Sequence, residues 1–199
     1  MIKKEKTFVL IKPDGVQRSL IGETIKRLER TGLKLVALKL ILADADKIKQ
    51  HYLLEEGWVE KVGAKSIKGL AANGVDVSAK DPKTVGEVVL DNNVKYLTAG
   101  PVIIMIWEGA HAVAVVRKIV GTTEPLSSDV GTLRGDFVID SYELADSDKR
   151  AVRNIVHAST SPKEAESEIA LWFDKKEVLN YRLVQEQIIY DVNLDGILE

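Results

Sequence analysis

Apolar residues fall in short blocks along this chain, and each block predicts one element. Residues 7–11 (TFVLI) are a compact apolar run and predict a central strand buried on both faces. The run stops at Lys12-Pro13-Asp14-Gly15, where Pro, Asp and Gly favour a tight turn. Ile21, Ile25 and Leu28 then recur at helical spacing across residues 20–30, with Gly32 placed to end that helix. Residues 33–42 are apolar but mixed in phase, as in a long strand that carries a bulge or is covered on both faces. Asp44 can cap a helix running towards His51 and Tyr52. Residues 101–107 (PVIIMIW) predict another buried strand. Ala112, Val113, Val116, Ile119 and Val120 make an amphipathic helix closed by Gly121. Residues 122–135 have the composition of a loop, and Phe137, Val138 and Ile139 predict a short strand over 136–140.

Two stretches interrupt this order. Within residues 55–98, Val59, Val62, Ile67 and Leu70 allow a helix ending at Asn73-Gly74. Asp81-Pro82 then starts a second helix, with Val85, Val88, Val89 and Tyr96 on its apolar side. A helical insertion is expected there rather than a forty-residue structureless loop. Residues 141–152 are polar and charged and read as a second insertion. In the last helix, Ser161 is an N-cap, Pro162 fits the first position, and Glu164 would complete a capping box. Ala165, Ile169, Trp172 and Phe173 form its apolar stripe, which Glu168 borders. Residues 174–199 read as a tail whose Ile188-Ile189-Tyr190 packs back on the domain or on a neighbouring subunit.

The resulting order, β-α-β-(α)-β-α-β-α, fits an α+β fold of the ferredoxin-like split β-α-β kind. That fold has a four-stranded antiparallel sheet, here expected with helices on one face plus helical insertions. Nothing divides residues 1–199, so one domain is expected. At 199 residues and 45% hydrophobic, the chain can bury a substantial core.

Composition removes several kinds of chemistry. With no cysteine, thiolate catalysis, disulfides and cysteine metal sites are excluded, as suits a cytoplasmic protein. A net charge of -2 gives no general attraction to nucleic acid or anionic membranes. The longest wholly apolar run, residues 102–107, is too short to cross a bilayer, and no signal peptide is recognisable. A Walker phosphate loop, a G-x-G-x-x-G fingerprint, an H-E-x-x-H zinc motif and a G-x-S-x-G elbow are all missing.

What remains is a set of cations at element ends: Lys12, Arg117 and Arg134, with Arg153 weaker. Thr123 lies in the loop between two of them. Such cations and hydroxyls can hold a polyphosphate without a glycine loop, though each alone is also an ordinary surface group. His157 stands just before the last helix. On these residues alone it is either a half-buried loop histidine or a positioned base or nucleophile.

The segments TFVLIKPDGVQRSLIGETIKRLERTGLKLVALK, HYL, GPVIIMIWEG, VRKIVGTTEP, GTLRGDF and RNIVHAS, followed by E-x-E-I-ALWF, resemble the nucleoside diphosphate kinase family in the family's order. The resemblance implies ping-pong transfer of the terminal phosphoryl group of a nucleoside triphosphate to a nucleoside diphosphate. His157 would be phosphorylated and Glu168 would orient its imidazole. Lys12, Tyr52, Arg117, Thr123, Arg134 and Asn154 fall at nucleotide-binding positions, and Ser159 matches a serine near the histidine. It further implies Mg²⁺ carried by the nucleotide and a homo-oligomer, often a hexamer.

The chain departs from the family where an R-P-F-F element usually supplies a base-stacking phenylalanine. Here EEGWVEKV follows the tyrosine, with Trp58 as a substitute stacker or as packing for the inserted helix. Thr160 stands where aspartate is common, and LSSD differs from the usual subunit-contact loop. Two alternatives of other classes stay open: a nucleotide-binding regulatory module without turnover, and a histidine phosphocarrier serving a protein partner.

Overall fold

The computed structural model describes residues 4–190. Its four strands are β1 (Lys4–Ile11), β2 (Lys34–Ile41), β3 (Val102–Ala110) and β4 (Val156–Ala158). They form one antiparallel sheet in the order β2-β3-β1-β4. The helices among the described residues are α1 (Pro13–Gln17), α2 (Ile21–Glu29), α3 (Ala45–Leu53), α4 (Trp58–Ala72), α5 (Pro82–Leu97), α6 (Ala112–Val120), α7 (Leu133–Phe137), α8 (Tyr142–Ser147), α9 (Pro162–Trp172) and α10 (Gln185–Tyr190). The α+β architecture is the expected one.

Helices cover both faces of the sheet, not one as expected. Successive residues of a strand point to opposite faces, and β1 and β3 are apolar at both sets of positions. Val9, Ile11, Met105 and Trp107 pack on one side with Leu28 of α2 and Val116 and Val120 of α6. Phe8, Leu10, Ile104 and Ile106 pack on the other with Ile48 of α3, Leu90 and Val94 of α5, and Trp172 of α9. Burying each such side chain contributes about 1.5–3 kcal/mol. The mixed phase of β2 has a local cause, a bulge that shifts its register on β3 between Leu35 and Ala37.

The fourth strand lies elsewhere than expected. Residues 136–140 pair with no strand. The Thr132 hydroxyl instead accepts the Gly135 N–H at 3.0 Å and starts α7, which takes up Asp136 and Phe137. Asp140 then ties the two ends of residues 141–152 together. Its carboxylate receives both Nη groups of Arg150, at 2.7 and 2.9 Å, and the Arg153 N–H at 2.6 Å. This junction returns the chain to the sheet, where Val156–Ala158 forms the edge strand beside β1. The expected turn after β1 is a single turn of helix, α1, with Pro13 at its start.

The helices α4 and α5 cross at two glycines. A Cβ on Gly63 would lie 1.8 Å from the Pro82 carbonyl oxygen, and one on Gly86 would lie 2.0 Å from that of Val59. Only glycine permits such an approach.

The tail folds back on the domain. The Leu179 N–H donates to the Val36 carbonyl at 2.9 Å, covering part of the outer edge of β2. The Tyr190 hydroxyl accepts the Ala110 N–H at 3.1 Å. The remainder of the expected tail, residues 191–199, lies outside the described residues.

Candidate active site

His157 sits in the middle of β4, opposite Leu10 of β1, and so shares the sheet face of Phe8 and Leu10. It is a strand residue, not a loop residue. The turn leading to it is tight. The Val156 N–H bonds the Asn154 carbonyl at 2.6 Å around Ile155, whose φ is +53°. A β-branched residue rarely adopts that conformation, which costs on the order of 1–3 kcal/mol. It is held because the Lys12 N–H donates to the Ile155 carbonyl at 2.7 Å and the Ile155 side chain is buried. Gly15 must be glycine here, since a Cβ would meet the Ile155 carbonyl oxygen at 2.9 Å.

The helix that follows has the expected Ser161 cap, which accepts the Glu164 N–H at 3.1 Å. The reciprocal arm of the expected capping box goes elsewhere. The Glu164 carboxylate takes the backbone N–H of Thr160 at 2.7 Å, together with the Thr160 hydroxyl. One turn on, α9 brings Glu168 against the histidine. His157 Nε2 is 2.6 Å from Glu168 Oε1, and the Ser159 hydroxyl donates to Oε2 at 2.5 Å. With a carboxylate on Nε2, the neutral ring carries its hydrogen there and keeps its lone pair on Nδ1. Burial first, then the nearby Lys12 ammonium, holds His157 well below the ordinary imidazole range. Burial pushes the Glu168 carboxyl up, while His51 and the Ser159 hydroxyl pull it back.

The expected cations gather in front of this pair. Lys12, Tyr52, Arg117, Thr123, Arg134, Asn154, His157 and Glu168 all line one cleft of about 1580 Å³. Asn154 organises its floor. Its Oδ1 accepts from Lys12 Nζ at 2.7 Å, and its Nδ2 donates to the Thr123 carbonyl at 2.8 Å. Burial, then Arg134, brings the Lys12 ammonium down to about 7. Arg134 is buried and mostly committed. Its guanidinium donates to the carbonyls of Asn154 (3.3 Å), Gly121 (3.1 Å), Thr122 (2.7 Å) and Val156 (2.6 Å). Four of its five N–H groups are thereby used, leaving one on Nη2 for a ligand. Burial, then the Glu168 carboxylate, pushes the Tyr52 phenol up, so it stays a neutral hydroxyl.

Other expectations resolve differently. Ser159 is fully buried behind Glu168 and off the cleft wall. Arg153 is exposed and also off it. Trp58, the first residue of α4, lines the cleft and packs on Tyr52 of α3, with ring centroids 4.9 Å apart.

Two residues escape a sequence reading. His51 is buried with its ring 4.7 Å from that of His157, nearly perpendicular at 82°. Tyr96 of α5 accepts the Asn154 N–H at 3.2 Å and lies 5.0 Å under Lys12 Nζ. The only available signals were the adjacency of His51 to Tyr52 and a tyrosine on an apolar stripe. Ligand atoms of His51, His157 and Glu168 lie within 4.8 Å of one another. The short bond from His157 to Glu168, with Lys12 alongside, makes this a hydrogen-bonded group rather than a cation site.

Comparison with known proteins gives one answer. The sequence pattern of the family described as nucleoside diphosphate kinase matches residues 5–60 and 77–178. A nucleoside diphosphate kinase of Pyrobaculum aerophilum is 47% identical over 179 residues, covering 88% of this chain and 98% of that one. The crystal structure of an NDP kinase from that organism superposes with a TM-score of 0.86 at 46% identity, over 89% of this chain and all of that one. A Borrelia burgdorferi nucleoside diphosphate kinase, solved as a transition-state mimic with vanadate and ADP, gives 0.75 at 33% identity, over 93% and 96% of the two chains. The matched stretches carry β1, the histidine strand, α9 and every expected site residue, and the chain belongs to the nucleoside diphosphate kinase family.

Proposed function

We propose that this enzyme, a phosphotransferase of the nucleoside diphosphate kinase family, passes a terminal phosphoryl group between nucleotides through Nδ1 of His157. The observation that carries the reading is the short bond from His157 Nε2 to Glu168, which leaves Nδ1 as the lone-pair nitrogen at a cleft lined by cations. In the first half-reaction Nδ1 attacks the terminal phosphorus. The bond from phosphorus to the bridging oxygen breaks, and the nucleoside diphosphate leaves with that electron pair. The second half-reaction reverses this onto another nucleoside diphosphate. Glu168 stabilises the positive charge that develops on the imidazole. Lys12, Arg117 and the free N–H of Arg134 face the phosphate oxygens, with Thr123 and Asn154 beside them.

A divalent cation, Mg²⁺ in our reading, would arrive with the nucleotide and offset the charge of its phosphates. The ammonium, guanidinium, hydroxyl and amide groups around Lys12, Arg117 and Arg134 suit phosphate oxygens. A hard cation would then be held chiefly by phosphate and water oxygens.

We also read residues 55–98 and 141–152 as insertions in one domain, and the protein as a homo-oligomer, with the hexamer implied by the family. Leu38 and Leu40 lie 44% and 62% exposed on the edge strand β2, past the part covered by the tail. Val130 and Ile139, on another segment, are 93% and 98% exposed. A closed hexamer needs more than one kind of contact surface. No helix among the described residues is long and apolar enough to cross a membrane. We infer a cytoplasmic enzyme.

The test mixes purified protein, Mg²⁺, ATP and GDP. The expected products are GTP and ADP, with an acid-labile phosphoprotein from ATP alone, and His157→Ala should lose both. If that variant still forms the same phosphohistidine, the assignment is wrong. Transfer to a protein acceptor with no exchange between free nucleotides would favour a phosphocarrier instead.

A further inference from the structure

We propose that His51 and Trp172 form a positioning pair that keeps Glu168 ionised and His157 in its nucleophilic tautomer. The proposal rests on His157 being the phosphorylated residue. Trp172 Nε1 lies 3.3 Å from His51 Nδ1. An indole nitrogen can only donate, so His51 Nδ1 must be the acceptor. The neutral ring therefore carries its hydrogen on Nε2. Protonating His51 would set two N–H groups against each other, so Trp172 also disfavours the imidazolium.

The other edge of that ring meets the reaction centre. His51 Nε2 is 3.6 Å from Glu168 Oε1, the oxygen that His157 Nε2 already contacts at 2.6 Å. The distance is long for a hydrogen bond, but the N–H dipole still faces a carboxylate that is only 2% exposed. Phe8, Tyr52 and Trp172 surround the His51 ring, with centroids 5.9, 5.3 and 6.0 Å away. The His51 and Glu168 side chains are left 3% and 2% exposed.

The device matters because a buried carboxyl tends to take up a proton. A protonated Glu168 would donate to His157 Nε2. The imidazole hydrogen would then sit on Nδ1, the atom that must attack. Donors aimed at Glu168 oppose this. Ser159 serves one oxygen, while His157 and His51 face the other. The charged and titratable groups around His51, Trp172 and Glu168 are His157 of β4, Tyr52 of α3, Lys47 of α3 over the Trp172 ring, Lys12 at the end of β1, Glu164 on α9 itself, and Arg117 and Arg134 across the cleft. The cations among them also favour the ionised carboxylate. His51 differs in having its donor edge fixed by a second residue that never touches the cleft.

The experiment compares Trp172→Phe, His51→Phe and His51→Gln with the parent protein. Single-turnover phosphorylation by ATP is followed from pH 5 to 9, with the steady-state KM alongside. Loss of the donor should move the acid limb of the phosphorylation rate up by about half a pH unit or more in Trp172→Phe and His51→Phe. KM for ATP should stay within about twofold. His51→Gln, which keeps an N–H donor, should restore most of the shift. In parallel, ¹⁵N spectra of the parent should show His51 as the Nε2–H tautomer, and Trp172→Phe should show a mixture. An unmoved acid limb in both phenylalanine variants overturns the proposal, as does an Nδ1–H tautomer for His51 in the parent. The tautomer is read without turnover. A protein that shows it but forms no phosphohistidine would defeat the catalytic assignment and not this contact.

Discussion

Glu168 spends its two carboxylate oxygens on different partners, with His157 Nε2 on one at 2.6 Å and the Ser159 hydroxyl on the other at 2.5 Å. The histidine is on the edge strand and the glutamate on α9. The pair therefore depends on how that helix lies over the sheet, which Trp172 and Phe173 set by packing with Phe8 and Leu10.

Removing the charge from this pair should slow chemistry more than binding. A hydrogen bond to a charged group contributes about 1.5–3 kcal/mol, or roughly 10- to 150-fold in rate. Glu168→Gln is expected to lower the rate of phosphohistidine formation within that range in rapid-quench measurements. The nucleotide dissociation constant should hardly move.

Lys12 should make nucleotide binding take up a proton at alkaline pH. Burial holds its ammonium down to about 7 in the free protein, and a polyphosphate in the cleft raises it again. Below about pH 6.5 the lysine is already charged, so binding needs no proton. Above about pH 7.5 binding must protonate it, and affinity weakens as pH rises. Calorimetry in buffers of different ionisation enthalpy at pH 6 and pH 8 should show uptake only at the higher pH. Lys12→Met should abolish it.

Asn154 links three parts of the cleft floor, holding Lys12 and the Thr123 loop and donating its own N–H to Tyr96. Asn154→Ala leaves a buried ammonium and a carbonyl short of partners, at a cost of about 1–3 kcal/mol. Thermal melting should fall by about 2–4 °C per kcal/mol for a chain of this length. An unchanged melting temperature with activity intact would contradict this role.

The crossing of α4 and α5 should be intolerant of a single methyl group. Gly63→Ala and Gly86→Ala each force a backbone shift, with overpacking costs of about 1–3 kcal/mol. Gly69, on the same helix as Gly63, faces open space, and a Cβ there would meet nothing within 4 Å. At that position an alanine should gain up to about 1 kcal/mol from helix propensity. Paired chemical denaturation curves of Gly63→Ala and Gly69→Ala check the opposite signs.

The apolar blocks of the sequence determined the central strands, the helices 20–30 and 112–120, and the capped start of α9. Each rests on burial or capping within a few consecutive residues, so the local sequence suffices. The motif residues likewise marked out a candidate site, a histidine, a glutamate and several cations, which the fold brings to one cleft. Other features were decided only by the tertiary structure. Three residues, 156–158, become a strand because β1 offers them an open edge, while the equally apolar 136–140 finds none and its start is drawn into α7 by Thr132. That both faces of the sheet are covered depends on where distant helices dock. His51 and Tyr96 enter the site from α3 and α5, and neither had a local pattern to mark it. Their roles come from distances across the fold, 4.7 Å between two histidine rings and 3.2 Å from a phenol to the Asn154 N–H, which no spacing along the chain encodes.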